Sequence, residues 1–308
     1  MAAPIAYSYV RYLHAKRSVD DRALNRVVLE QLRAALGELP ATTSVPPRVL
    51  ELGAGVGTMV SRLADLGWLT RARYTLLDSD RASLDAAAAH LRDWGGAAAR
   101  DDGGALVVRD TGRDLAARAV EADVFDWLAV PDPGGQPYDL VIANAFLDLV
   151  DVGALLPLLW RRVAPGRPFW FSINFDGETI FLPERPLDGQ VSALYHRDMD
   201  QRLHRGRPTG GSRTGRLILQ EIPRSGARLL GAGSSDWVVL PSGDGGYPGD
   251  EGYFLHHILH TIETALRGSP AIDAAAFAGW LDERRAQIDR GELIYVTHQL
   301  DVFGRAPG

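Results

Sequence analysis

Apolar residues recur at Leu24, Val28, Leu32, Ala35, Leu36 and Leu39. That spacing lays them on one helical face, and Asp20 or Asp21 can cap its start. The pattern stops at Pro40, ahead of Pro46-Pro47. RVLELG, residues 48–53, is a short apolar run closed by glycine and reads as a buried strand. Residues 59–68 return to helical spacing, YTLLD at 74–78 is a second buried strand, and 81–94 is an alanine-rich helix. Residues 95–104 read as a loop by composition. The stretch 105–125 fits either a hairpin or one strand after an insertion. YDLVIAN (138–144) is a strand, 154–163 a helix and PFWFSINF (168–175) a strand.

Strand and helix in alternation imply an α/β fold with a mostly parallel, doubly wound sheet covered on both faces. The rhythm then breaks. Residues 177–215 are polar, with scattered glycine and proline, and suggest one helix near 192–205. Residues 227–240 read as strand, 254–266 and 274–288 as amphipathic helices, and 292–303 as a final strand.

The first strand runs into Glu51-Leu52-Gly53-Ala54-Gly55-Val56-Gly57-Thr58. A glycine-rich turn between strand and helix lets backbone approach a ligand closely, and the helix start offers free N–H groups. Dinucleotide binders use G-x-G-x-x-G. Here the sixth position is Thr58, and the third glycine comes one place early, at Gly57. Such a turn can also be a mere tight connection, and an aspartate at a strand end, such as Asp78 or Asp123, is often a helix cap.

Taken together, VLELGAGVGT, Asp78 after the second strand, EADVFDW and YDLVIANAF resemble the class I S-adenosylmethionine-dependent methyltransferases over residues 48–175. The resemblance implies a Rossmann-like, seven-stranded sheet with an antiparallel last strand, for which 292–303 is the candidate. It also implies S-adenosyl-L-methionine as cofactor. Glu51, Gly53, Ala54, Gly55 and Gly57 would form its cradle. Asp78, followed by Ser79, would accept the ribose hydroxyls. Asp123 would face the adenine amino group, with Val124 or Phe125 against the ring. Asn144, Ala145 and Phe146 would face the transferred methyl. Small-molecule enzymes of this family close the pocket with an N-terminal helical lid and an insertion after strand five. Residues 1–40 and 176–226 would serve, with 227–308 completing one elaborated domain. Within the lid, Arg11, Lys16 or Arg17 would meet the methionine carboxylate, with Arg17 the chosen cofactor contact. The expected activity is methylation of a small-molecule oxygen or nitrogen acceptor. RNA or protein side-chain methylation and a non-catalytic binding role are the alternatives. Base methylation is disfavoured because Asn144-Ala145-Phe146 lacks the paired prolines of enzymes that methylate exocyclic amines.

Composition narrows the chemistry further. The 39 acidic residues outnumber the 33 basic ones, for a net charge of -6, which disfavours a general nucleic-acid binder. Cysteine is missing from the sequence, so thiolate catalysis and disulfides are excluded. The N-terminus turns polar too early for a signal peptide, and no apolar run is long enough to span a bilayer. The expectation is a cytoplasmic protein without membrane partners, its oligomeric state open and a homodimer allowed. Lys16 is the only lysine. His196, Asp148 and Asp176 are the candidate bases, and Tyr195, Arg202 and His256 the candidate acceptor contacts. His196 ranks first because an imidazole ordinarily titrates near neutrality. His256 and His260 with Glu263 share a helix flank at a spacing that could chelate zinc. A polar or substrate-contacting flank is the preferred reading, and no metal is expected.

Overall fold

The computed structural model describes residues 6–39, 45–131, 135–243 and 245–308. The outer ends of the expected lid, residues 1–5 and 40, lie outside these. The strands are β1 (Arg48–Leu52), β2 (Arg71–Asp78), β3 (Ala99–Asp102), β4 (Ala105–Arg109), β5 (Asp114–Glu121), β6 (Leu140–Asn144), β7 (Pro168–Leu182), β8 (Leu203–His204), β9 (Arg207–Pro208), β10 (Arg228–Ser234), β11 (Trp237–Val239) and β12 (Ile294–Arg305). The main sheet runs β10-β12-β7-β6-β1-β2-β5-β4-β3, with β11 also paired to β12. From β5 to β7 neighbours are parallel, and β12 lies antiparallel between β7 and β10. Chain order reverses beside β1: β2 follows on one side and β6 on the other. In open α/β sheets that reversal opens a crevice at the carboxyl ends of the strands.

The helices are α1 (Tyr9–Ala23), α2 (Arg26–Gly37), α3 (Thr58–Asp65), α4 (Arg81–Gly95), α5 (Val124–Ala129), α6 (Val152–Trp160), α7 (Asp188–Gln201), α8 (Thr214–Arg224), α9 (Glu251–Leu266) and α10 (Ala274–Asp289). Two apolar cores flank the sheet. One takes α1 to α4, α7, α9 and α10, and the other α5, α6 and α8. Period-two alternation in β7 feeds both: Trp170 packs into the first, Phe169 and Phe171 into the second.

Several expectations change. Asn25, not Asp20 or Asp21, caps α2, its side chain accepting from the Val27 and Val28 amides. Residues 99–102 are a strand, because Ala99–Asp102 pairs with β4, and β4 pairs with β5. The fifth parallel strand does not stop at 175. Thr179, Ile180 and Phe181 keep the alternation, and a register shift opposite His298 bends β7 at Gly177, where φ is +87°. The helix expected near 192–205 is α7, and α8 follows it. Residues 227–240 split into β10 and β11.

Candidate functional site

The turn after β1 is shaped by left-handed backbone at Gly53 (φ +60°), Gly55 (+51°) and Gly57 (+71°). A β-carbon on Gly53 would sit 2.4 Å from Phe146 Cδ2, so only glycine fits there without moving Phe146. The Gly55 amide donates to Asp78 Oδ2 at 2.8 Å, and the Asp80 amide to Asp78 Oδ1 at 2.9 Å. Each oxygen keeps acceptor capacity, since a carboxylate offers about four lone-pair sites. Glu51 is buried, and its Oε2 has no hydrogen-bond partner. Burial pushes its carboxyl up to about 8, against a smaller lowering by Arg62, and the nearby Asp78 adds a lesser rise.

These residues line a cavity of about 560 Å³ at the carboxyl ends of β1, β2, β6 and β7. Tyr9, Tyr12, Leu13, Lys16 and Asp20 of α1 form one of its walls, a single helical stripe. The helix is fastened to α9. Tyr253 Oη accepts from the Ser8 amide at 2.6 Å, Arg11 pairs with Asp250 at 2.8 Å, and Ser18 and Arg22 both donate to Glu251. Inside the cavity wall, Asp20 collects three donors. Lys16 Nζ and Asn144 Nδ2 (3.2 Å) reach Oδ2, and Trp237 Nε1 (2.9 Å) reaches Oδ1. Asn144 Oδ1 in turn accepts from Ser172 Oγ at 2.8 Å. Buried polar groups hold their positions when all partners are present.

Most expected cofactor residues meet here: Glu51, Gly53, Ala54, Gly55, Asp78, Ser79, Asp123, Val124, Asn144, Ala145 and Phe146 all line the cavity. Gly57 and Phe125 stand behind that lining. Asp123 both lines the cavity and caps α5, accepting from the Phe125 and Asp126 amides. Its Oδ2 lies 2.6 Å from His204 Nε2, and Arg205 approaches Oδ1 at 3.2 Å. Burial alone would raise this carboxyl, but the His204 and amide hydrogen bonds outweigh it and hold it low.

Other expectations are corrected. Arg17 does not reach the cavity; it lies 3.7 Å from Asp21 and 3.9 Å from Asp65, and Lys16 points inward instead. His256 is buried against Asp289 at 2.9 Å, and the inward imidazole is its neighbour His257. His260 stacks on Tyr7 and Glu263 pairs with Arg285, so the flank of α9 is divided among separate partners. His196 stands one layer out, its Nε2 3.0 Å from Thr179 Oγ1, and Thr179 is the residue that lines the cavity. Burial lowers the His196 imidazole below its ordinary range. Asp176 anchors α8, accepting from the Arg216 amide (3.0 Å) and Nε (2.8 Å), and does not line the cavity. Asp148, Tyr195 and Arg202 do line it. Sequence reading missed Tyr12, Asp20, Trp237 and Tyr295. Only the helical stripe 9, 12, 13, 16 and 20 signalled the first two.

No family model and no curated protein matches the chain. Among solved structures it is similar to a Bacillus halodurans protein whose methyltransferase assignment is provisional. That pair is 11% identical with a TM-score of 0.49, covering 90% of this chain and 99% of the other. A methyltransferase of Thiobacillus denitrificans solved with S-adenosyl-L-homocysteine is 14% identical, with a TM-score of 0.44 over 96% of this chain and 99% of its own. Likeness at that level assigns no residue a role. The chain's own strand order, its antiparallel β12 between β7 and β10, and the glycine turn at the reversal give it the Rossmann-like fold of the class I S-adenosylmethionine-dependent methyltransferases.

Proposed function

We propose that this protein is an S-adenosylmethionine-dependent methyltransferase acting on a small-molecule oxygen or nitrogen acceptor. One observation carries the reading. A single cavity is lined both by the glycine turn, Glu51 and Asp78 and by Asp148, Tyr12, Tyr195 and Tyr295. A two-substrate reaction needs such a shared space.

The residues suit the cofactor's parts. Asp78 can accept from vicinal hydroxyls. Glu51 Oε2, buried without a partner, can accept from an α-ammonium. Lys16 Nζ has Asp20 as its hydrogen-bond partner and three N–H donors in all, so it can also donate to an α-carboxylate. A cation and an acid lining one cavity match the zwitterionic tail of an amino acid. When bound, the cofactor supplies an electrophilic methyl on a sulfonium. The protein's part is to align the acceptor, exclude water beneath α1 and take a proton, for which Asp148 is a cavity-lining carboxylate without a hydrogen bond to another described residue. Burial raises the Asp148 carboxyl above its usual range, against lowering by a hydrogen bond from its own amide and then by Arg202 and Lys16.

The test is calorimetric titration with S-adenosyl-L-methionine and S-adenosyl-L-homocysteine, followed by mass analysis of a metabolite pool for a single added methyl. Absence of binding by either compound would refute the reading. Lys16 offers a separate check, since it is the sole side-chain amine. Lys16→Met is expected to weaken S-adenosyl-L-homocysteine about 10- to 100-fold, the worth of a charge-assisted hydrogen bond, and to leave adenosine affinity unchanged. Equal losses for both ligands would remove Lys16 from the carboxylate role.

A further inference from the structure

We infer that the methyl acceptor is an amine, bound as its ammonium ion in the part of the cavity lined by Asp148, Tyr12, Tyr195 and Tyr295 and relieved of a proton by Asp148. The inference rests on the methyltransferase reading above and settles its open choice between oxygen and nitrogen.

The charge pattern of that part carries the argument. Its cations are already neutralised. Arg202 donates to Asp198 through Nε (3.0 Å) and Nη2 (2.8 Å), and Lys16 is held by Asp20. Asp148, by contrast, has no hydrogen bond to another residue among those described, although Arg202 and Lys16 lie within electrostatic range, as do Tyr9 and Tyr195. A carboxylate, phosphate or phenolate acceptor would bring a second anion beside Asp148, where Arg202 is paired with Asp198 and Lys16 is shared between Asp20 and the proposed cofactor carboxylate. A neutral alcohol could donate one hydrogen bond to Asp148 but would leave its buried charge unbalanced, which is costly. An ammonium satisfies it.

The rings point the same way. Tyr12 and Tyr295 line the cavity, and their hydroxyls have no partner among the described residues. Burial pushes both phenols well above their ordinary range, so they remain neutral. His257, stacked on Tyr12 at 4.3 Å, is lowered to about 4 by burial and by His260, so it adds no positive charge near neutrality. Neutral aromatic walls beside a carboxylate that no cation bonds among the described residues favour a cation.

The step balances. The ammonium gives one proton to the Asp148 carboxylate. The freed lone pair forms the nitrogen–carbon bond as the carbon–sulfur bond breaks, and that electron pair stays on sulfur, giving S-adenosylhomocysteine. The product ammonium retains its positive charge.

The test uses the full chain with matched probes: benzylamine, benzyl alcohol and benzoate, and hexylamine, hexanol and hexanoate. Binding to protein saturated with S-adenosyl-L-homocysteine is measured by calorimetry, and methyl transfer by mass. Amines are expected to bind about tenfold more tightly than their partners and alone to be methylated. Asp148→Asn is expected to erase that preference and to slow amine methylation about 100-fold or more, with S-adenosyl-L-homocysteine affinity unchanged. Tyr295→Phe keeps the ring and is expected to keep the preference. Tighter binding of an alcohol or carboxylate, methyl found on oxygen, no amine bound or methylated, or an intact preference in Asp148→Asn would each overturn the inference. Failure to bind S-adenosyl-L-homocysteine would instead overturn the cofactor reading on which it rests.

Discussion

Gly55→Val is expected to abolish measurable cofactor binding, a loss of more than about 100-fold, in a protein that still folds. Two effects combine. Gly55 has φ +51°, in the left-handed region, where a β-branched residue costs about 1–2 kcal/mol. Its missing β-carbon would lie 3.2 Å from Leu13 Cδ1, between the turn and α1, where cavity space begins. Relief by moving the turn would break the 2.8 Å bond from the Gly55 amide to Asp78, and with it the orientation of the proposed ribose acceptor. Gly67→Val separates strain from blockage. Gly67 has φ +70°, and nothing lies within 4 Å of its missing β-carbon. The two variants are expected to lose similar stability on urea unfolding, and Gly67→Val to bind S-adenosyl-L-homocysteine normally by calorimetry. Retained affinity in Gly55→Val would refute the site.

The contrast between the legible and illegible parts of this site follows from the range of the forces involved. The glycine turn, Asp78 and the strands around them are local patterns: an apolar run, a glycine, an acid at a strand end. Their placement needed no long-range contact. Lys16 and Arg17 are adjacent, and so are His256 and His257. Successive residues on a helix point about 100° apart. Which one faces the cavity is therefore decided by rotation of the helix. For α1 that rotation is set by Arg11 against Asp250 and by Arg22 against Glu251, more than two hundred residues away. Asp20 read as a helix cap because two of its three donors, Trp237 and Asn144, lie 217 and 124 residues away in sequence. The extension of β7 was hidden by Gly177, whose bend interrupts the alternation that Thr179 and Phe181 then resume. His196 had suitable chemistry at a suitable place in the chain, but a single layer of packing, Thr179, separates it from the cavity.

Glu51 gives the second large effect, and here the sign of its pH dependence matters. Its carboxyl titrates near 8 in the folded protein against 4.5 for the ordinary group. The folded state therefore binds the proton more tightly than the unfolded chain. Stability from this group is full below about pH 4.5 and falls by about 1.4 kcal/mol per unit as pH rises toward 8, a loss of several kcal/mol in all. Glu51→Gln removes that slope. On urea unfolding without ligand, the variant is expected to match the parent at about pH 5 and to exceed it by about 2–4 kcal/mol at about pH 9. Asp301, buried and raised to about 6, and Asp148 add slopes of the same sign, so the difference between parent and variant is the quantity to read. Ligand binding should invert the preference. An ammonium placed against Oε2 favours the ionised carboxylate, so binding S-adenosyl-L-homocysteine near neutrality should release close to one proton. Calorimetry in buffers of different ionisation enthalpy measures that number directly. Glu51→Gln should release none from this position and bind about 10- to 100-fold more weakly, because a neutral amide replaces the anion. A variant as pH-sensitive as its parent would disprove the raised carboxyl, and unchanged proton release would remove Glu51 from the ammonium contact.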